Sequence, residues 1–142
     1  MIEFPSKHLC NSELKTVELA KSFSENILPG SIIVLNGELG SGKTFFIKQL
    51  LKCFGIRNAS SPTFSIVNVF KVKYNFYHLD FYRIKKASEL FEIGFNDYIN
   101  EDNSVILIEW GELFPKILPS SRIEINIRVN GNFSRQFEFN QL

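Results

Sequence analysis

Cysteine is scarce, no sign of charge prevails, and long apolar runs are missing. The two cysteines, Cys10 and Cys53, are far apart and match no C-x-x-C spacing. That argues against a disulfide framework or a zinc site and leaves two reduced thiols as the expectation. Sixteen Lys and Arg against fifteen Asp and Glu give a net charge of +1, so no global field draws the chain to nucleic acid or an anionic membrane. No uninterrupted apolar run approaches the ~18 residues that span a bilayer, and "MIEFPSKHLC" lacks a basic segment followed by an apolar one. A cytoplasmic protein with no membrane association is expected. Low-complexity tracts, internal repeats and linkers are also missing. What is present is 44% hydrophobic content with fifteen phenylalanines, enough for one packed core and one domain spanning residues 1–142.

Only eight glycines occur, yet three fall in the stretch "NGELGSGKTFF", directly after the apolar run "IIVL". Glycine inside an element costs conformational entropy, so a cluster marks positive φ or close approach to the backbone. Around it, "NSELKTVELAKSFSENI" reads as an amphipathic helix capped by Asn11 or Ser12, with Leu14, Val17, Ala20 and Phe23 on its apolar face, ending near Pro29 and Gly30. "SIIVLN", residues 31–36, is β-branched without alternation, as in a strand covered on both faces. "KTFFIKQLLKCF" resumes a helical period and Gly55 is placed to end it. Two strands, residues 65–72 and 76–82, follow with a reversal around Tyr74. "KKASELFEIGF" reads as a short helix with Ser88 as a possible cap, "SVILIEW" as a buried strand, and "GELFPKILPS" as a turn broken by Pro115 and Pro119. The tail alternates around Asn130-Gly131, a hairpin signal.

Residues 37–44, "GELGSGKT", match G-x-x-x-x-G-K-[ST], the P-loop. In such a loop successive backbone N–H groups at a helix N-terminus form an anion nest, and Gly37, Gly40 and Gly42 let the backbone approach phosphate oxygens. Lys43 would reach the β and γ phosphates and the Thr44 hydroxyl would ligate Mg²⁺. The competing reading is a glycine-rich turn with an exposed lysine. A second acidic group is needed at the end of a neighbouring apolar strand, and "VILIEW" supplies Glu109, where open α/β sheets bind ligands. Asp80, flanked by Leu79 and Phe81, either orients or deprotonates an attacking water, holds a metal-bound water, or faces solvent on an alternating strand. Thr63 after Pro62 belongs either to a switch-like segment or to an ordinary strand entry. His8 and His78 lack ligand spacing and read as structural or surface residues. Trp110 falls either beside the nucleotide or in a core or partner-facing position. Lys71, Lys73, Arg83, Lys85 and Lys86 read as a solvated basic face, with contact to an RNA backbone or an acidic partner as the alternative.

In order, "GELGSGKT", "SPTF", "YHLDFYR", "ELFEIGFNDY" and "LIEW" resemble the TsaE family of bacterial P-loop ATPases, needed for threonylcarbamoyladenosine modification of tRNA. The resemblance runs from about Ser12 to Trp110 and more weakly through "LPSSRIEI". It implies binding of ATP or ADP with Mg²⁺, slow hydrolysis of ATP, and work with TsaB and TsaD as partners, with tRNA contacted indirectly or weakly. It places the phosphate loop on Gly37, Glu38, Leu39, Gly40, Ser41, Gly42, Lys43 and Thr44, and the metal ligands on Thr44 and Glu109. The switch-like segment falls on residues 61–64, which include Thr63, and the required aspartate on Asp80. Glu13 and Thr16 resemble the part near the nucleotide base. Ser41 departs from the alanine of many members, and the hairpin after Ile125 has little match.

Two other functions compete: a small P-loop kinase acting on a nucleoside or metabolite, though no arginine-rich lid segment follows the "LIEW" strand, and a nucleotide-binding module without turnover. A GTPase is disfavoured because no N-K-x-D motif is found. The expected fold is α/β, a three-layer α/β/α P-loop NTPase domain with a mainly parallel sheet and antiparallel hairpin additions.

Overall fold

The computed structural model describes residues 1–59, 65–131 and 133–142. Its elements in chain order are β1 (Ser6–Cys10), α1 (Glu13–Ser24), β2 (Ile32–Asn36), α2 (Lys43–Lys52), β3 (Val67–Lys71), β4 (Asn75–Asp80), α3 (Ser88–Glu92), α4 (Phe95–Asn100), β5 (Ser104–Glu109), β6 (Ile123–Asn130) and β7 (Ser134–Gln141). Short 3₁₀ turns follow β4 at Phe81–Arg83 and β5 at Gly111–Leu113.

The seven strands form one sheet in the order β1-β7-β6-β2-β5-β4-β3. Its four middle strands pair in parallel, β6 with β2, β2 with β5, and β5 with β4. Antiparallel strands extend both sides: the hairpin partner β3 beyond β4, and the hairpin partner β7 beyond β6, followed by the N-terminal β1 beyond β7. Helices cover both faces, which gives the three-layer α/β arrangement.

Strand alternation divides the core in two. Ile33 and Leu35 of β2 and Val105 and Leu107 of β5 pack on one face with Phe23 of α1 and Phe46 of α2. Val34, Ile106 and Ile108 pack on the other with Leu90 of α3 and Phe95 of α4. Being covered twice, β2 and β5 read as unbroken apolar runs. The β6–β7 hairpin is covered on the α1/α2 face, so Ile125, Ile127, Phe137 and Phe139 are buried while their neighbours Asn126 and Glu138 are not. On the other side, Tyr77 of β4 donates to Glu101 Oε2 (2.5 Å) and stacks on Tyr98 (4.1 Å between centroids), fastening the end of α4 to the sheet.

Of the local expectations, one alternative is selected and others are corrected. Ser12 is the cap of α1, its Oγ accepting from Lys15 N at 3.2 Å. The buried stripe of α1 is Thr16, Leu19, Ala20 and Phe23, whereas Leu14 is 67% exposed. Thr16 can occupy that stripe because its hydroxyl donates back to Ser12 O (3.4 Å), which leaves no unpaired polar group. The helix ends at Ser24, ahead of Pro29. Ser88 lies within α3, whose cap is Ala87. Strand β1 and helix α4 were not anticipated.

Phe46 has no exposed surface and sits among Phe23, Phe137 and Phe139 at centroid distances of 6.1, 5.4 and 6.3 Å. Phe46→Ala should therefore cost about 3–5 kcal/mol in urea unfolding. Leu14→Ala should stay within about 0.5 kcal/mol of the parent.

Candidate functional site

Parallel pairing brings the C-terminal ends of β2, β4 and β5 to one edge. Asp80 faces Glu109 in the β4–β5 register, and Glu109 faces Leu35 in the β5–β2 register. The chain leaving β2 at this edge makes the glycine-rich turn and enters α2 directly.

Within the turn, Gly40 and Gly42 have φ of +79° and +108°, a region that L side chains rarely adopt. Gly37 is needed for a different reason: a Cβ there would lie 2.8 Å from Ile127 O on β6. Among the described residues, the backbone N–H groups of Gly42, Lys43, Thr44 and Phe45 have no hydrogen-bond partner. These are the free donors that begin any helix, here gathered beside a cavity of about 490 Å³.

Lys43 is 5% exposed, and its Nζ donates to Gly37 O and to Glu38 O (3.1 Å) while lying 4.1 Å from the Trp110 ring centroid. Burial pushes its pKa down, opposed by the negative charges of Glu109, Glu112 and Asp80. Trp110 has φ of +61°, unusual for a bulky residue, and its ring also lies 5.2 Å from that of Tyr82.

The Thr44 hydroxyl donates to Glu109 Oε1 at 2.9 Å, and His78 Nε2 lies 2.6 Å from Glu109 Oε2. Glu109 and His78 are each 5% exposed. Burial alone would raise the Glu109 carboxyl, but the hydrogen bond and charge of His78, the Thr44 hydroxyl and Lys43 together hold it below its ordinary value. Asp80 ends β4 differently: Oδ1 accepts from Tyr82 N (3.1 Å) and Oδ2 pairs with Arg83 Nε (3.4 Å), so it caps the following turn while lining the cavity.

The cavity brings together Glu13, Leu39, Gly40, Ser41, Gly42, Lys43, Thr44, Asp80 and Glu109. Gly37 and Glu38 lie on the other side of the loop, against a second cavity of about 670 Å³ bordered by β6. Thr63 and the rest of residues 61–64 lie outside the described residues. Two residues of the neighbourhood escaped the sequence reading. His78 carried a signal, since it stands two positions before Asp80 and therefore on the same face of β4. Arg135 of β7, which lines the cavity and donates from Nε to Ser41 O (2.7 Å), carried none.

These residues suit a nucleotide polyphosphate with a hard cation. Free amides and a lysine supply donors for phosphate oxygens. The two oxygens of Thr44 and Glu109 lie 2.9 Å apart. Adjacent ligands of octahedral Mg²⁺ at 2.0–2.1 Å are separated by about that distance. Among the described residues no group of three or more His, Cys, Asp or Glu side chains forms a metal cluster. A threonine hydroxyl and one carboxylate could serve Mg²⁺, which usually takes one or two protein ligands together with waters and phosphates.

Because the folded-state pKa of Glu109 is lowered, its stabilising contribution is complete above its ordinary value of 4.5 and disappears as pH falls through the lower folded value. Urea midpoints taken from about pH 5 to about pH 3 should fall more steeply for the parent than for Glu109→Gln, which has no carboxyl to protonate.

A family model described as "Threonylcarbamoyl adenosine biosynthesis protein TsaE" matches residues 10–137. The tRNA threonylcarbamoyladenosine biosynthesis protein TsaE of Rickettsia prowazekii (strain Madrid E) is 42% identical over 131 residues, covering 90% of each chain. The protein of the same name from Bacillus subtilis (strain 168) is 35% identical over 131 residues, covering 88% of this chain and 78% of that one. Among solved structures, the Bacillus YdiB crystal structure superposes with a TM-score of 0.78 at 28% identity, covering 98% of this chain and 86% of the other. No helix among the described residues is long and apolar enough to cross a membrane. With its glycine-rich turn, its fold and these relatives in agreement, the chain belongs to the TsaE family.

Proposed function

We propose that the protein binds ATP with Mg²⁺, hydrolyses it slowly, and serves tRNA threonylcarbamoyladenosine formation by acting on a TsaB–TsaD complex. The observation that carries the chemical part is the Thr44–Glu109 contact beside the unpartnered amides at the start of α2. The biological part is carried by family membership.

In this reading the amides of Gly42 to Phe45 receive phosphate oxygens, and Lys43 exchanges the carbonyls of Gly37 and Glu38 for phosphate. Its lowered pKa is compatible with this exchange, because a partly desolvated ammonium gains most from an anionic partner. Thr44 and Glu109 would hold Mg²⁺, which supplies charge neutralisation at the phosphates when bound. His78 keeps one carboxylate oxygen of Glu109 engaged and so fixes the orientation of the other. Asp80, 29% exposed at its side chain and adjacent to Glu109 in register, is positioned to accept a proton from, or orient, a water near the phosphates. Glu13 and Thr16, at the α1 end of the cavity, are the residues proposed to border the nucleoside.

The test is calorimetry and phosphate release on the same samples, with and without TsaB and TsaD. Wild type should bind ATP in the presence of Mg²⁺ and release phosphate slowly, at a rate that changes when the partners are added. Lys43→Ala should lose ATP binding. Asp80→Asn should bind ATP within about threefold of wild type while turnover falls roughly 10²-fold, a typical loss for a general-base or water-orienting carboxylate. A phosphorylated acceptor in place of free phosphate would point to a kinase, and full turnover by Asp80→Asn would remove the role given to that residue.

A further inference from the structure

Arg135 comes from the C-terminal hairpin, ninety-four residues from its contact in the phosphate loop. Its Nε–H donates to Ser41 O at 2.7 Å, and the guanidinium lies against Gly42, where a Cβ would meet Nε at 3.2 Å and Cδ at 3.4 Å. Among the described residues, Arg135 has no carboxylate within ion-pair distance, so this charge is directed at the loop and not at an acidic neighbour.

The consequence follows from peptide geometry. The Ser41–Gly42 bond is trans, so its C=O and N–H point in opposite directions across one rigid plane. Holding the Ser41 carbonyl toward Arg135 therefore turns the Gly42 N–H away from Arg135. Gly42 N–H is one of the four amides without a partner. Glycine at φ +108° can rotate this plane more freely than another residue could, so an external hold is required to keep one orientation. Lys43 does the same for the carbonyls of Gly37 and Glu38 from inside the loop. Three carbonyls are thus tied by cations, and the following amides remain free.

We propose that Arg135 is a positioning residue that fixes the Ser41–Gly42 peptide plane so that the Gly42 amide faces the phosphates of a bound nucleotide. This rests on the nucleotide reading for its ligand but not for its geometry. It gives the hairpin, which the sequence left without a role, a direct hold on the loop, and it explains why the third glycine of the motif packs under a guanidinium.

The test uses Arg135→Met and Arg135→Lys in the full chain, with two readouts. In nucleotide-free protein, the amide ¹H–¹⁵N resonance of Gly42 should move or broaden in Arg135→Met and return toward the wild-type position in Arg135→Lys, which restores a donor. By calorimetry, Arg135→Met should weaken ATP and inorganic tripolyphosphate by a similar factor, roughly tenfold or about 1.4 kcal/mol, because the amide serves the phosphates and not the base. Arg135→Lys should recover most of that loss. An unchanged Gly42 resonance, or ATP affinity within twofold of wild type in Arg135→Met, would overturn the proposal. Loss of ATP affinity with tripolyphosphate untouched would also overturn it, by placing the arginine on the nucleoside. Should Arg135→Met fail to fold, Arg135→Leu, which likewise has no donor, gives the same comparison. If wild type binds neither ligand, the nucleotide reading fails, and the Gly42 resonance still decides whether Arg135 sets the peptide plane.

Discussion

The hydrogen bond from the Thr44 hydroxyl to Glu109 joins two residues sixty-five positions apart, and the rest of the site is arranged around that meeting. Neither residue is special alone: one is the second residue of a helix, the other the last of a strand. They meet because β5 lies directly beside β2 in parallel, so the end of one strand stands next to the loop that leaves the other. Glu109 projects to the same face as Val105 and Leu107, the face covered by α2, and Thr44 is in the first turn of that helix. Five apolar or small buried residues precede Glu109 along β5, and these anchor a charged group that would otherwise be costly to hold at 5% exposure. His78, Thr44 and Lys43 offset that cost by favouring its ionised form.

Around this contact the loop shows a division of polarity. Carbonyls of Gly37, Glu38 and Ser41 are taken by Lys43 and Arg135, while the amides that open α2 are left without partners. Satisfied acceptors beside spared donors are the arrangement through which ordinary backbone can receive an anion, as the proposed function requires. Gly40 and Gly42 take positive φ without a Cβ penalty, so the backbone strain nearby falls on Trp110, which is held at positive φ with its ring over the Lys43 ammonium. Among the described residues, the buried Oδ1 of Asn36 and Oγ of Ser41, at and within the loop, have no hydrogen-bond partner, in keeping with a region shaped for polar contents more than for packing.

Much of this was legible in the sequence because the informative features are local. Glycine spacing announces the loop, an apolar run ending in Glu109 announces the buried strand, and Asn130-Gly131 announces the hairpin, where Gly131 has φ of +74°. What escaped depends on register between distant segments. His78 looked like an isolated histidine because its partner is thirty-one residues away on the next strand. Arg135 looked like one more charge on an alternating strand, since only the β7–β6–β2 order brings it to the loop. Strand β1 pairs only with β7, which forms from the far end of the chain, so "SKHLC" had no nearby partner to reveal it. On α1, Ala20 and Phe23 are buried as their spacing suggests, whereas Thr16 and Leu19 take the places expected of Leu14 and Val17, because a threonine that bonds back to Ser12 can be buried where an aliphatic residue is looked for.

In the proposed function the freed amides and the Thr44–Glu109 pair together form one site for a nucleotide and its cation. Electron paramagnetic resonance of Mn²⁺, used in place of Mg²⁺, tests this most directly in wild type and Thr44→Val, each with and without ATP. The account predicts an immobilised Mn²⁺ signal that requires ATP and is strongly reduced in Thr44→Val. A bound signal that forms without ATP, or one that Thr44→Val leaves unchanged, would contradict it.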